Sequence, residues 1–346
     1  MKPRLLDYLG CPACGAAFVC QAVTSRDQDE IVEGVLRCQG CGRQYPIRQA
    51  IPRLVPDNLT EDKKRTAAAF GFEWQHFDEL HQAYEAQFLD WVYPIQPEFF
   101  AGKVILDAGC GTGRHAYFAA KFGARDVIAF DLSNAVETAY RHLGSLPNAH
   151  VVQGDIFAPP FRRTGGVGPF DFIYSIGVLH HLPDPRAGFK SLAALLKPGG
   201  TIFAWVYGRE NNGIVHHVID PLRRRVTTRL PMPVLQAASL PLTVVMEAVI
   251  HGIYRPLRGT AVFTRLPLHD YLYSLRAFSF RHNHSIVFDH LVAPTAFYLS
   301  RDEFASWFDE LGLEDVELSW RNQNSWRGRG RRSLRLAGQG TQAAAG

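Results

Sequence analysis

The stretch from Lys103 to Gly208 constrains the fold more than any other part of the chain, because short apolar runs alternate there with helical patterns. KVILD leads through a glycine turn into a helix over RHAYFAAKFG, and DVIAFD into a helix over NAVETAYRHLG. HVVQGD, FDFIYSI and GTIFAWVYG read as further strands, and AGFKSLAALLKPGG as a helix stopped by Pro198, Gly199 and Gly200. Strands this continuously apolar are buried on both faces. The alternation therefore predicts an α/β fold: a mostly parallel sheet with helices on both sides.

At 346 residues the chain is long enough for two packed units. Hydrophobic residues make up 47% and charged residues 20%, which excludes wholesale disorder and coiled coil. The net charge of +4 permits nucleic acid or a membrane surface as partner and demands neither. MKPRLLDYLGCPAC has no apolar core long enough for a signal peptide, so a cytoplasmic protein is expected. Around the core at 101–210 we expect a cysteine-punctuated unit at 1–56, a polar linker and an aromatic-rich helix over 57–100, and an insertion at 211–297. A closing helix and strands at 298–335 and a disordered tail at 336–346 complete the division. The helix is placed over roughly Thr66 to Trp91, where Phe70, Trp74, Phe77, Tyr84, Phe88 and Trp91 recur at the spacing of one buried face.

Asp107-Ala-Gly109-Cys-Gly111-Thr-Gly113 follows a strand and opens a helix, so the backbone can approach a ligand with the helix N-terminus facing it. The third glycine comes one residue earlier than in dinucleotide-binding loops. Asp107 just before the loop would repel a pyrophosphate, whereas an α-amino group would welcome it. An amino-acid end, with ammonium for the acid and carboxylate for the helix, fits both features. Asp131 ends the second strand, 24 positions after Asp107, where it can accept ribose hydroxyl protons. Asp155 ends the third strand, 24 positions further on and followed by Ile156, within reach of an adenine amino group. Any one of these acids alone can be a helix cap.

On ILDAGCGTGRH, the Asp131 end of IAFDLS, VVQGDIFAPPF, FIYSIGVLHHLPDP and LKPGGTIFAWVYG, the chain resembles the class I S-adenosylmethionine-dependent methyltransferases of the type 11 group. The resemblance is strong over about 100–210 and moderate over 298–335. It implies a Rossmann-like sheet, S-adenosyl-L-methionine as cofactor, and cofactor contacts from Asp107, Gly109, Gly111, Gly113, Asp131, Asp155, Ile156 and Ser175. There is no Asn/Asp-Pro-Pro-Tyr and no Pro-Cys nucleophile, which argues against adenine amino methylation and covalent cytosine chemistry. Methyl transfer to a neutral acceptor gains from a general base, and His180 or His181, just past the fourth strand, suits that role or a structural one. His282, His284 and His290 in the insertion are candidates for lining the acceptor pocket. The His282/His284 spacing suits opposite sides of an extended strand, which does not favour a metal there.

Cys11-Pro-Ala-Cys14 and Cys38-Gln-Gly-Cys41 form two knuckles whose four thiolates complete a tetrahedron around one zinc ion, a closed and hence structural site. CPACGAAF with LRCQGCGRQYPIRQAIPRLVP resembles the small zinc-ribbon family that binds and activates methyltransferases of tRNA and release factors, here carried in cis. It is also similar to the N-terminal ribbon of a bacterial ribosomal-RNA guanine methyltransferase.

In the insertion, Leu235 to Ile253 is an apolar helical stretch, with Leu235, Leu242 and Val249 repeating at seven, while Pro241 and Glu247 argue against a membrane span. We read it as a helix packed on the domain, and an amphipathic lid that binds a greasy acceptor or rests on a membrane surface is the sharper alternative. Arg327, Arg329, Arg331 and Arg332 suit a terminal strand with a solvated face more than a phosphate site. The reading is a methyltransferase acting on a small, fairly apolar molecule. An RNA base methyltransferase using the ribbon as its RNA arm is the alternative, and a non-enzymatic partner-binding scaffold the second.

Overall fold

The structure, a computed structural model, describes residues 1–334 apart from 82, 214, 228, 229 and 294. The tail expected over 336–346 lies outside the described residues. The strands in chain order are β1 (Phe18–Asp27), β2 (Glu30–Cys38), β3 (Gln44–Arg48), β4 (Ile51–Leu54), β5 (Val104–Ala108), β6 (Asp126–Asp131), β7 (Ala149–Gly154), β8 (Phe170–Ile176), β9 (Leu196–Tyr207), β10 (Glu314–Arg321) and β11 (Ser325–Arg331). Among the described residues they form one sheet in the order β1-β2-β3-β4-β7-β6-β5-β8-β9-β11-β10. The helices are α1 (Glu61–His76), α2 (Ala83–Trp91), α3 (Arg114–Lys121), α4 (Ala135–Leu143), α5 (Pro185–Ala193), α6 (Asp220–Arg225), α7 (Met232–Val249), the single turn α8 (Arg255–Leu257), α9 (His269–Leu275), α10 (Phe280–Val292) and α11 (Arg301–Glu310).

From β7 across to β9 every pairing is parallel, as continuous apolar strands require. The order runs outward from β5 in both directions, so a crevice opens beyond the carboxyl ends of β5 and β8. Side chains alternate across the sheet. Val104, Leu106 and Ala108 of β5 join one core with Phe170, Phe189 and Phe304, while Ile105 joins a second with Phe88, Phe100 and Phe172. The Pro198-Gly199-Gly200 turn expected to stop a helix lies inside β9, and the helix before it has already ended at Ala193.

The cysteine-bearing unit is fused to the core rather than tethered to it. β4 pairs in parallel with β7 through Arg53↔Gln153 and Leu54↔Gly154. Leu9, Leu36 and Leu54 belong to the same hydrophobic core as Val104 and Phe130. Tyr8 donates to Asp126 Oδ2 at 2.5 Å and Arg4 pairs with the same carboxylate at 2.8 Å, so polar contacts tie the N-terminus to the start of β6.

Three local expectations change. The aromatic stretch is two helices, α1 and α2, and the first begins inside the expected linker. Thr60 caps it by accepting from the Lys63 amide, and Glu61 and Asp62 complement the first-turn dipole. His282 and His284 sit on a helix, not an extended strand, because Ser279 caps α10 by accepting from the His282 amide at 3.2 Å. The α7 helix buries Leu235, Ser239 and Thr243, whereas Leu242 of the expected heptad face is half exposed.

Candidate functional site

A cavity of about 260 Å³ occupies the crevice, between the β5–α3 turn and the ends of β6, β7 and β8 on one side and α1, α9 and α10 on the other. Gly109, Gly111, Asp131, Asp155 and Ile156 line it, with His181, His282 and His290 among the walls.

The glycine turn has the backbone that the sequence calls for. Gly109, Gly111 and Gly113 all have positive φ, at 83°, 51° and 76°. A Cβ on Gly109 would collide with Val178, and one on Gly111 would meet the Trp74 indole, so the turn is pressed between two walls. Gly113 caps α3, whose N-terminus faces the turn.

Asp131 accepts from the Gly111 amide at 3.0 Å and from the Ser133 amide and hydroxyl at 2.8 and 2.7 Å. It therefore ties the glycine turn to the end of β6 while still facing the cavity. Burial pushes its carboxyl up, and those donors pull it back. Asp107 lies behind the turn, buried, with Oδ2 unpartnered. Burial raises its carboxyl to about 8, opposed by the Tyr174 hydroxyl and the Arg114 charge. Asp107 does not itself line the cavity, and the cost of burying its carboxylate would be offset by a cationic donor reaching the orphaned oxygen. Asp155 Oδ2 pairs with Lys63 of α1 at 2.6 Å, and Oδ1 accepts from the Phe157 amide. Ser175 does not line the cavity; its hydroxyl donates to the Ala108 carbonyl at 2.9 Å, locking β8 to β5 beneath the turn.

The two neighbouring histidines part company. His180 is fully buried against Tyr207, ring centroids 3.8 Å apart, and neither ring nitrogen has a partner. His181 lines the cavity, and its Nδ1 lies 2.7 Å from the Thr295 carbonyl. A carbonyl accepts only, so Nδ1 carries the proton and Nε2 keeps its lone pair. Burial lowers the His181 pKa, with the Asp289 charge pulling the other way, and so holds the ring neutral.

In the insertion, His282 bonds Tyr84 through Nδ1 at 3.0 Å and meets the Gln87 amide at 3.4 Å, and burial lowers its pKa to about 3. His290 also lines the cavity, stacked on Tyr207. His284 does not: it points to α7, where Nε2 meets Ser239 Oγ at 2.7 Å. These three rings share no ion site. Among the described residues the cysteine set is the one cluster arranged to hold a metal.

Sequence reasoning missed the α1 wall. Lys63, Phe70, Glu73 and Trp74 present one helical face to the cavity, and Glu73 is fully buried with both carboxyl oxygens unpartnered. Arg114 lies 5.1–5.4 Å from the ring centres of Trp74, Tyr84 and Trp91, a cation on a three-sided aromatic seat. The aromatic periodicity carried the signal, but periodicity records burial and not the ligand space that the face is buried against.

At the far end of the sheet, the Sγ atoms of Cys11, Cys14, Cys38 and Cys41 lie within 4.8 Å of one another, with Cys14–Cys38 at 3.4 Å and Cys11–Cys41 at 3.7 Å. Tetrahedral zinc with bonds of about 2.3 Å sets sulfurs about 3.8 Å apart, so the donor set fits that ion. The terminal arginines are matched by protein groups: Arg329 pairs with Glu317, Arg331 with Glu314 and Asp315, and Arg327 donates to the Asp90 and Trp320 carbonyls.

Comparison with known proteins agrees with this geometry. Residues 77–318 match the methyltransferase domain family, and residues 2–49 match the Trm112p-like protein family. The ubiquinone biosynthesis O-methyltransferase of Albidiferax ferrireducens is 32% identical over 146 residues, covering 41% of this chain and 55% of the relative. That of Ralstonia nicotianae is 34% identical over 128 residues, covering 37% and 51%. The chain thus spans about half the length of these curated relatives. A complex of the Haloferax volcanii Trm112 methyltransferase activator with a methyltransferase is similar at 15% identity and a TM-score of 0.45, covering 80% of this chain and 97% of that one. With the matched region taking in the glycine turn, the three rim acids, His181 and most of the cavity wall, the chain belongs to the methyltransferase domain family.

Proposed function

We propose that this chain is an S-adenosylmethionine-dependent methyltransferase that methylates a hydroxyl group on a small, largely apolar molecule. The observation that carries the reading is a cavity lined by Asp131 and Asp155 at one end and by the His181 ring at the other. The names of the curated relatives favour an oxygen acceptor.

Bound S-adenosylmethionine supplies a methyl group made electrophilic by its sulfonium. Asp107, whose Oδ2 is unpartnered, would hold the amino group, and the α3 N-terminus would face the carboxylate. Asp131 accepts from the ribose hydroxyls, while Asp155 and Ile156 flank the adenine. The acceptor lies under α9 and α10 against Phe70, Trp205 and Tyr207, whose rings exclude water. His181 Nε2 takes the proton that the acceptor hydroxyl gives up, with Nδ1 held on Thr295 throughout. The chain's remaining contribution is alignment of the acceptor.

Two measurements test the reading. Asp131→Ala removes the acceptor for two ribose hydroxyls, each bond to a charged group being worth about 1.5–3 kcal/mol, so calorimetry should show affinity reduced on the order of 100-fold or more. Unchanged affinity would remove Asp131 from the site. Labelled methyl should pass to hydroxylated aromatics more readily as their alkyl substituents lengthen. Label appearing in tRNA or ribosomal RNA, with none in such compounds, would replace the small-molecule reading by the RNA one.

A further inference from the structure

The α7 helix turns a long apolar face toward solvent. With the turns that follow it, it forms a helical run, Met232–Leu257, of 26 residues, long and apolar enough to cross a membrane by length and composition alone. It does not leave the fold. Its inner face packs Leu235 against Phe288 and Leu291, and two polar contacts hold it to α10: Ser239 Oγ to His284 Nε2 at 2.7 Å and Glu247 Oε1 accepting from Asn283 at 2.7 Å. The outer face carries the grease. Val234, Leu240, Leu242, Val244, Val245 and Ile253 are 44–61% exposed. Ala237, Ala238, Pro241, Ala248 and Gly252 fill the positions between them, and His251 at the rim is the one polar exposed residue from Met232 to Ile253.

Ordinary amphipathicity puts the apolar stripe inward and the polar one outward. Here Leu235 and Ile250 do face inward, but the outward face is apolar as well from Val234 to Ile253, roughly 30 Å of helix. Among the described residues, six of the large exposed apolar side chains lie on this one helical run, from Val234 to Ile253. The surrounding charge is predominantly positive. Residues 211–297 contain nine arginines and four acids. Arg225 precedes the helix, and Arg255, Arg258 and Arg265 follow it, all exposed. An apolar strip with cations at both ends matches an anionic bilayer surface, acyl chains under the strip and phosphates at the arginines.

We propose that the outer face of α7 seats this protein on anionic lipid, the helix lying in the plane of the headgroup boundary without crossing it. The inner face packs on α10, whose Ser285, Ile286 and Asp289 line the cavity, so the seat adjoins the acceptor wall. The seat is independent of the methylation reading and is tested without it.

The full chain is floated with vesicles of phosphatidylcholine alone and of phosphatidylcholine with phosphatidylglycerol. Co-flotation with the anionic vesicles is expected, weakening as salt rises. Leu242→Asp combined with Val245→Asp should reduce it at least tenfold, with circular dichroism and cofactor affinity unchanged. Arg255→Glu with Arg265→Glu should abolish the preference for anionic lipid. The proposal falls if the chain stays in solution with both vesicles, or if the double aspartate variant still floats. It also falls if light scattering finds a dimer that Val245→Asp dissociates, because a second copy would then cover the face.

Discussion

Exchanging His181 for asparagine is expected to lower turnover by about 10²–10⁴-fold, the usual contribution of a positioned general base. Cofactor affinity should barely move, since in the proposed site the rim acids and not this ring hold the nucleoside. The local geometry makes the case. The imidazole is tethered by Nδ1 to the Thr295 carbonyl, Phe70 packs on it with ring centres 5.0 Å apart, and its second nitrogen is left for the cavity. Burial depresses the His181 pKa below its ordinary value near 6.5, so the ring is a free base at neutral pH. The sign follows: kcat/KM should be flat through neutrality and fall only on the acid side of 6.5, where the ring takes up a proton. In the asparagine variant that acid limb should disappear. His180 packs on Tyr207 and does not line the cavity, so the same exchange there should leave the acid limb in place. A His181→Asn enzyme with full turnover and an unaltered profile would strike out the base.

Cys38→Ser should release the zinc and lower the melting temperature by roughly 10 °C or more, since several kcal/mol of metal-linked folding energy go with the fourth thiolate. The loss should not stay in the ribbon. β2, which ends at Cys38, is joined through β3 and β4 to β7, and Leu36 packs in the same core as Val104 and Phe130. Loosening the knuckles therefore frees the β7 edge of the sheet, beside which Asp155 lines the cavity. Metal analysis should find one zinc per wild-type chain and little in the variant, with the main unfolding transition shifted. Zinc retained in full would contradict the ligand set, and an unmoved main transition would contradict the fused core.

How far the sequence reveals this molecule depends on what each signal physically records. The parallel core was legible because strands buried on both faces are continuously apolar and end in acids or glycines; β5, β6 and β8 read that way directly. The rim was legible for the same reason, since Asp131 and Asp155 stand at strand ends that parallel topology brings to one edge. The four cysteines were legible from spacing alone. The parallel pairing of β4 was not, because Ile51-Pro52-Arg53-Leu54 between two prolines looks like loop, and its partner lies about a hundred residues away at Gln153. Glu73 was not, because a helix face buried against a ligand space has the same period as one buried in core. The α7 face was misassigned because a heptad of apolar residues marks a stripe without saying which side water is on. His180 and His181 differ only in which ring the turn after β8 sends into the cavity.

The most direct trial is a crystal structure with S-adenosylhomocysteine soaked in. We expect density across the glycine turn, the ribose hydroxyls on Asp131, the adenine beside Ile156 and the amino group on Asp107. A crevice that stays empty at saturating ligand, or one that takes up a nicotinamide dinucleotide or a nucleoside triphosphate in its place, would contradict it.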